Sequence, residues 1–203
     1  MISIAVAKGY LFKEALEILS GAGLDFEDAL KDNRRLAFVD KTQRWKLFSV
    51  RPWDVPVYVA RGAANFGIVG HDVLAEHDTN VSVLKDLNFG QCSLVLAGLK
   101  KDLPIKLEHN MRVATKYPHC TEKWFHQQGI KVRLIKLYGA IELAPETGLA
   151  DVICDLTASG KTLEENGLDI IETLFSSTAK LIANSAALAF YQKEISEIIA
   201  TLP

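Results

Sequence analysis

The sequence predicts an α/β protein built on buried, mostly parallel strands, and three observations lead there. Short apolar runs of strand length alternate with amphipathic stretches of helical length along the whole chain. Glycines punctuate these stretches, as Gly21 and Gly23 do after Leu19. Of the 203 residues 49% are apolar, enough to bury a large core without covalent or metal staples.

The elements follow in order. An apolar run predicts a first strand over 2–7, and Leu11, Ala15, Leu16, Ile18 and Leu19 then recur at helical spacing, a surface helix packed by one face. Further strands are expected over 46–50, 66–69, 94–98 and 112–115. Thr121 to Gln128 reads as a helix with Thr121 as N-cap and Gly129 after it, followed by a β-rich run over 131–136. Strands over 152–156 and 181–184 and an amphipathic helix over 186–199 complete the pattern. The polar stretch 100–110, with Pro104, is expected to be a loop or a connection near a domain boundary.

The formal charge is only -2, with 25 acidic against 23 basic side chains, so a generally basic nucleic-acid binder is excluded and an anionic ligand needs local charge. Such local charge exists. Seven basic residues fall between Asn33 and Arg61 against Asp40 and Asp54. From Ile141 to Thr178 eight acidic residues face Lys161 alone. Two walls of opposite sign suit a polyphosphate carried with Mg²⁺, although solvated faces can also differ by chance. Cys92, Cys120 and Cys154 lie far apart without a CxxC pair, which argues against a disulfide framework and fits a reducing cytoplasm. The N-terminus lacks a signal-peptide pattern, and the longest strongly apolar run, Leu94 to Leu99, is far below the ~18 residues of a membrane-spanning helix. The five histidines show no dense ligand spacing, no GxSxG motif is present, and Trp45, Trp53 and Trp124 read as packing anchors.

The segment from Val152 to Leu163 carries the clearest chemical signal. An apolar strand ends at Asp155, passes through Leu156, Thr157, Ala158, Ser159 and Gly160, and enters a helix at Lys161 and Thr162, so several backbone N–H groups can converge on a phosphate. The alternative is an ordinary βα turn with a serine N-cap. An NTPase loop is excluded, because GxxxxGK[ST] requires glycine where Asp155 stands. A second glycine-rich run, from Gly62 to Leu74, is better explained by close packing at Gly67 and a helix capped by Asp72. Lys8 and Gly9 directly follow the first strand, at the edge where open α/β sheets bind ligands.

With these segments in order, the chain resembles the ATP phosphoribosyltransferase family over essentially its whole length. The likeness rests on Ala7-Lys8-Gly9, on Arg51-Pro52-Trp53-Asp54-Val55-Pro56 leading to Gly67-Ile68-Val69-Gly70, and on Val113-Ala114-Thr115-Lys116-Tyr117-Pro118. It continues through Leu137 to Pro145 and through Gly148-Leu149-Ala150-Asp151 into the candidate phosphate loop. The chain departs from the family's usual aspartate at Asn65 and usual arginine at Ser93.

The resemblance implies a two-domain α/β fold like type II periplasmic binding proteins, with the active site in the interdomain cleft. The expected domains are 1–90 plus 181–203, on the ATP side, and 91–180, with the phosphate loop. It implies transfer of the phosphoribosyl group of phosphoribosyl pyrophosphate (PRPP) to N1 of ATP, with Mg²⁺ as cofactor. Lys8, Gly9, Arg34, Arg51 and Gly70 are then expected at the ATP phosphates or the departing pyrophosphate. Glu142, Asp155, Thr157, Ala158, Ser159, Gly160, Lys161 and Thr162 are expected at PRPP, with Lys8, Arg51 and Glu142 catalytic and Asp155 a candidate Mg²⁺ contact. The chain looks like the short form of the family, implying a cytoplasmic homodimer within a larger hetero-oligomer whose regulatory subunit resembles histidyl-tRNA synthetase. Neither a nucleic acid nor a membrane is expected as partner. A ligand sensor without catalysis and a nucleotide hydrolase are the competing readings; conversion of ATP and PRPP to a joined product separates all three.

Overall fold

The computed structural model describes residues 1–26, 28–31 and 34–202. In chain order the elements are β1 (Ile2–Ala7), α1 (Phe12–Gly21), α2 (Asp28–Lys31), β2 (Ala37–Val39), β3 (Trp45–Val50), α3 (Val55–Ala60), β4 (Phe66–Gly70), α4 (His71–Glu76) and β5 (Ser82–Asp86). There follow β6 (Cys92–Leu99), β7 (Arg112–Thr115), α5 (Pro118–Gln127), β8 (Arg133–Lys136), α6 (Leu143–Glu146), β9 (Val152–Thr157), α7 (Lys161–Glu165) and β10 (Leu168–Ser177). The chain ends in β11 (Ala179–Ala183), α8 (Ser185–Phe190) and α9 (Gln192–Thr201). Two compact units result, Met1–Gly90 with Thr178–Pro203, and Gln91–Ser177.

The first unit holds a sheet in the order β2-β3-β1-β4-β11-β5. Its centre is apolar because β1 and β4 are covered on both faces: Ile4, Ala5, Val6, Ile68 and Val69 are essentially inaccessible. One face packs on Leu16, Leu19, Phe26 and Phe38. The other packs on Val55, Val59 and Val73 of α3 and α4. The second unit holds a sheet in the order β10-β6-β9-β7-β8, with Val95, Ala114, Ile153 and Leu163 in its core.

Both sheets are mixed, which corrects the expectation of mostly parallel strands. β3, β1 and β4 run parallel, as do β9, β7 and β8. β2, β11 and β5 pair antiparallel in the first unit, and β6 and β10 do so in the second. An uninterrupted apolar run reports burial of both faces, which a central strand has whichever way its neighbours run.

Three expected helix boundaries are also corrected. α5 begins at Pro118, a residue suited to the first turn, and Thr121 lies inside it with its buried hydroxyl donating to the Tyr117 carbonyl at 2.6 Å. The terminal helix is two helices, broken at Tyr191, and its side-chain cap is Asn184, whose Oδ1 accepts the Ala187 N–H at 2.7 Å. Asp72 sits within α4, whose N-cap is Gly70 with no side-chain bond. The polar stretch 100–110 contains a short 3-10 turn and belongs to the second unit. Among the described residues no helix is long and apolar enough to cross a membrane.

Candidate active site

In the first unit the carboxyl ends of β3, β1 and β4 form one edge. The parallel register pairs Ala7 with Val50 and Val6 with both Ser49 and Ile68, so Lys8, Arg51 and Gly70 leave three adjacent strands at nearly the same level. The Lys8 N–H donates to the Val50 carbonyl at 2.7 Å, which continues the ladder one residue past the strand and fixes where the lysine emerges. Gly9 then turns with φ +104, a conformation that favours glycine, and a Cβ built there would meet nothing within 4 Å. Arg51 is exposed and opens the 3-10 turn Pro52–Asp54, whereas Gly70 is buried and opens α4.

A cavity of ≈ 240 Å³ lies at this edge, lined by Lys8, Gly9, Lys13, Arg35, Phe38 and Ser49 among others. Arg35, not the expected Arg34, lines it, with its guanidinium 5.3 Å from the centre of the Phe38 ring. The exposed Arg34 precedes β2. Two adjacent arginines in an irregular segment gave the sequence no period by which to choose between them.

In the second unit the carboxyl ends of β9, β7 and β8 form the corresponding edge. Asp155 is half-buried on β9, Glu142 is the N-cap residue of α6, and Lys116 follows β7. Burial pushes the Asp155 carboxyl up to about 6; a hydrogen bond from the Leu156 N–H opposes this, the Glu142 charge adds to it, and Lys116 pulls it down. Charged groups from two other segments thus act on Asp155 at one edge. Sequence reasoning placed Asp155 and Glu142 in the site and left Lys116 out, although the rule that marked Lys8 applied equally: both are lysines one step beyond a parallel strand.

After Thr157 the chain turns through Ala158, Ser159 and Gly160 into α7. Gly160 has φ +76, and a Cβ there would meet nothing within 4 Å. The Gly160 N–H donates to the Thr157 hydroxyl at 2.9 Å, and the Lys161 N–H approaches the Ser159 hydroxyl at 3.4 Å. The N-cap position belongs to Gly160, which corrects the alternative of a serine cap. Lys161 and Thr162 are exposed in the first turn of α7, and Lys161 pairs with Glu165 at 3.7 Å. The turn is an open, polar, backbone-lined feature beside a carboxylate, suited to a sugar phosphate. Below it, Arg112 and Asp151 make a bidentate pair, with Nη2–Oδ1 2.6 Å, that ties the starts of β7 and β9 together.

Among the described residues no group of three or more His, Cys, Asp and Glu side chains could hold a metal ion. The neighbouring carboxyls of Asp155 and Glu142 still fit a hard divalent cation that takes most of its ligands from substrate phosphates and water, as Mg²⁺ does.

The model of a known family, described as ATP phosphoribosyltransferase, matches residues 51–203. The chain belongs to the ATP phosphoribosyltransferase family. It is 44% identical over 207 aligned residues to the ATP phosphoribosyltransferase of Synechococcus elongatus, with 100% of this chain and 94% of that protein covered. The enzyme of the same name from Citrifermentans bemidjiense is 43% identical, with 99% and 96% covered. Among solved structures, a chain of the ATP phosphoribosyl transferase (HisG:HisZ) complex from Thermotoga maritima superposes with a TM-score of 0.85 at 32% identity, covering 100% of this chain and 96% of that one. A chain of Tv2483 bound to L-arginine superposes at TM-score 0.59 with 12% identity, covering 99% and 83%, a likeness of fold alone. As an ATP phosphoribosyltransferase the protein joins the phosphoribosyl group of PRPP to N1 of ATP, releasing pyrophosphate in the first step of histidine biosynthesis.

The two departures from the family's pattern are each satisfied locally. Asn65 Oδ1 accepts from the Ser3 N–H and hydroxyl, both at 2.9 Å, and the Ser93 hydroxyl lies 3.3 Å from that of Ser176.

Proposed function

We propose that this ATP phosphoribosyltransferase binds the ribose and 5-phosphate of PRPP on the β9 edge of the second unit, and ATP or the departing pyrophosphate on the β1 edge of the first. The observation that carries this reading is the open left-handed turn at Gly160, which follows the end of β9 at Thr157, two positions beyond the Asp155 carboxyl on which the Glu142 charge acts. N–H groups of Ala158, Ser159, Lys161 and Thr162, helped by the Thr162 hydroxyl, take the 5-phosphate, and Gly160, whose own N–H is held by the Thr157 hydroxyl, gives the turn its open shape. Asp155, Glu142 and the Thr157 hydroxyl take the ribose side. Lys8, Gly9, Arg34, Arg51 and Gly70 form the nucleotide and pyrophosphate side, and Arg35 joins them from its place in the cavity wall.

The reaction needs no strong base, because adenine N1 already carries a lone pair. The N1–C1 bond forms as the C1–O bond breaks, and the electron pair of that bond leaves with pyrophosphate. The residues therefore position two anions and stabilise a cationic sugar: carboxylates at the ribose and forked cations at the phosphates do both. Charge-assisted bonds are worth ~1.5–3 kcal/mol each, so two or three that tighten in the transition state account for a large rate effect. Bound through PRPP phosphates and the Asp155 and Glu142 carboxyls, Mg²⁺ would neutralise leaving-group charge.

The same proposal includes a fold like that of type II periplasmic binding proteins, supported by its two α/β units with mixed sheets, and a cytoplasmic location. It includes a homodimer within a hetero-oligomer containing a regulatory subunit like histidyl-tRNA synthetase, supported by the likeness to a HisG:HisZ chain. Incubation with ATP, PRPP and Mg²⁺ followed by mass spectrometry tests the activity. Formation of N1-(5-phosphoribosyl)-ATP and pyrophosphate is expected; recovery of both substrates intact, with or without a regulatory subunit, would overturn it.

A further inference from the structure

Within the second unit, topology separates the two sides of Asp155. α7 leads into β10, which pairs with β6, so the phosphate turn lies toward the β6 and β10 side of β9. β7 lies on the opposite side, and its parallel register pairs Thr115 with Cys154, which brings Lys116 level with Asp155. Lys116 is half-buried and acts electrostatically on Asp155. A ribose held by Asp155 with its 5-phosphate in the turn must direct the substituent on C1 away from α7, toward β7. That substituent is a pyrophosphate. Lys161 is on the α7 side and paired with Glu165, and Lys136, at the end of β8, lies one strand further from Asp155 than Lys116 does, with its ammonium over the Tyr138 ring.

We propose that the ammonium of Lys116 binds the pyrophosphate group of PRPP, holding it in the ground state and as it leaves, which assigns the cations of the β1 edge in the first unit to the phosphates of ATP. The assignment rests on the PRPP placement above and adds a residue to it. The C1–O electron pair departs on pyrophosphate, and the ammonium offsets the charge that collects there. It thus acts on the leaving group, while the turn at Gly160 acts on the phosphate that stays with the product.

That division makes the test specific. Binding of inorganic pyrophosphate and of ribose 5-phosphate, each with Mg²⁺, is measured for the wild type, Lys116→Gln and Lys116→Arg. Pyrophosphate affinity is expected to fall about tenfold or more in Lys116→Gln and to recover substantially in Lys116→Arg, as loss of one charge-assisted contact predicts, with ribose 5-phosphate affinity within twofold throughout. Unchanged pyrophosphate binding, or equal loss of both ligands, would overturn the assignment. A measurement on the unsubstituted protein covers a variant that does not fold: trace acylation of lysines read by mass spectrometry. Pyrophosphate should slow modification of Lys116 severalfold and ribose 5-phosphate should not; equal modification in all samples overturns the proposal. Failure to form product would instead count against the reaction, since these readouts depend on binding alone.

Discussion

The hydroxyl of Thr157 accepts the backbone N–H of Gly160 at 2.9 Å, bridging the end of β9 to the residue that starts α7. One of the N–H groups expected to cradle a phosphate is thereby used to shape the turn, and the shape is what exposes the others. Gly160→Val places a branched side chain at φ +76, at a cost of about 1–2 kcal/mol or more, in the space a phosphate would enter. PRPP affinity should fall at least about tenfold, and more than in Thr162→Ala, which loses one hydroxyl. Titration of PRPP against folded Gly160→Val decides this; wild-type affinity would remove the turn from the site.

Arg51→Lys keeps the charge beside Lys8 and loses the fork that grips two phosphate oxygens. Turnover with both substrates saturating should fall about tenfold. Equal turnover in the lysine variant would return Arg51 to the role of an exposed residue ahead of Pro52.

The Asp155 carboxyl, raised by burial to about 6 from an ordinary 3.8, gives a pH signature of definite sign. Between those values the folded state holds more proton than the unfolded one, so stability falls as pH rises through the window, and the penalty persists above it. Asp155→Asn should remove that slope and stabilise the ligand-free protein by about 1–2 kcal/mol at pH 7–8. It should also lower kcat/KM for PRPP, which in the wild type should rise through about pH 6 as the carboxylate forms. Thermal denaturation from pH 4 to 8 together with initial rates reads both; a variant as pH-dependent in stability as the wild type would contradict it.

Lys180 donates to Asp86, and Thr178 adds a bond at 2.8 Å to the same carboxyl. The lysine hydrogen bond is the main reason that carboxyl is held down to about 2. Its contribution is present above the unfolded value and lost as pH falls through about 2. Because the Asp86 side chain is 43% exposed, solvent screening limits the effect, and Lys180→Met should cost about 1 kcal/mol at neutral pH. An unchanged melting temperature would show the pair to be neutral.

The central strands were legible because β1, β4, β7 and β9 are apolar runs buried from both sides. β10 was not: between its buried ends, Leu168 and Ser177, its residues are exposed or half-buried without strict alternation, and Asp169 and Glu172 break up Ile170, Ile171, Leu174 and Phe175, so no continuous or period-two apolar run marks it. β5, with Lys85 and Asp86 and the exposed Val83, hid for the same reason at a sheet edge. Strand direction was illegible because it depends on connections rather than on side chains. At the site, Lys8, Gly9 and the Asp155–Thr162 segment stood out as residues following apolar strands. Arg35 did not, because its place depends on the Phe38 ring and the cavity, which only tertiary packing assembles.

The insertion of β11 between β4 and β5 reaches beyond the finished fold. On the ribosome, Met1 to Gly90 emerge before the rest of their sheet is complete, because the place between β4 and the edge strand β5 stays vacant until Ala179–Ala183 arrive, after the whole of Gln91–Ser177. The second unit is continuous in sequence and can close its sheet from its own residues; the first must wait with the edges of β4 and β5 unpaired. Maturation therefore runs against the direction of synthesis, the later-made unit completing before the earlier one, and the long loop closure falls on the slow, aggregation-exposed step. Asn184 then acts as the latch of that last step, its amide donating to the Val59 and Ala64 carbonyls, both at 3.0 Å, once β11 is in place.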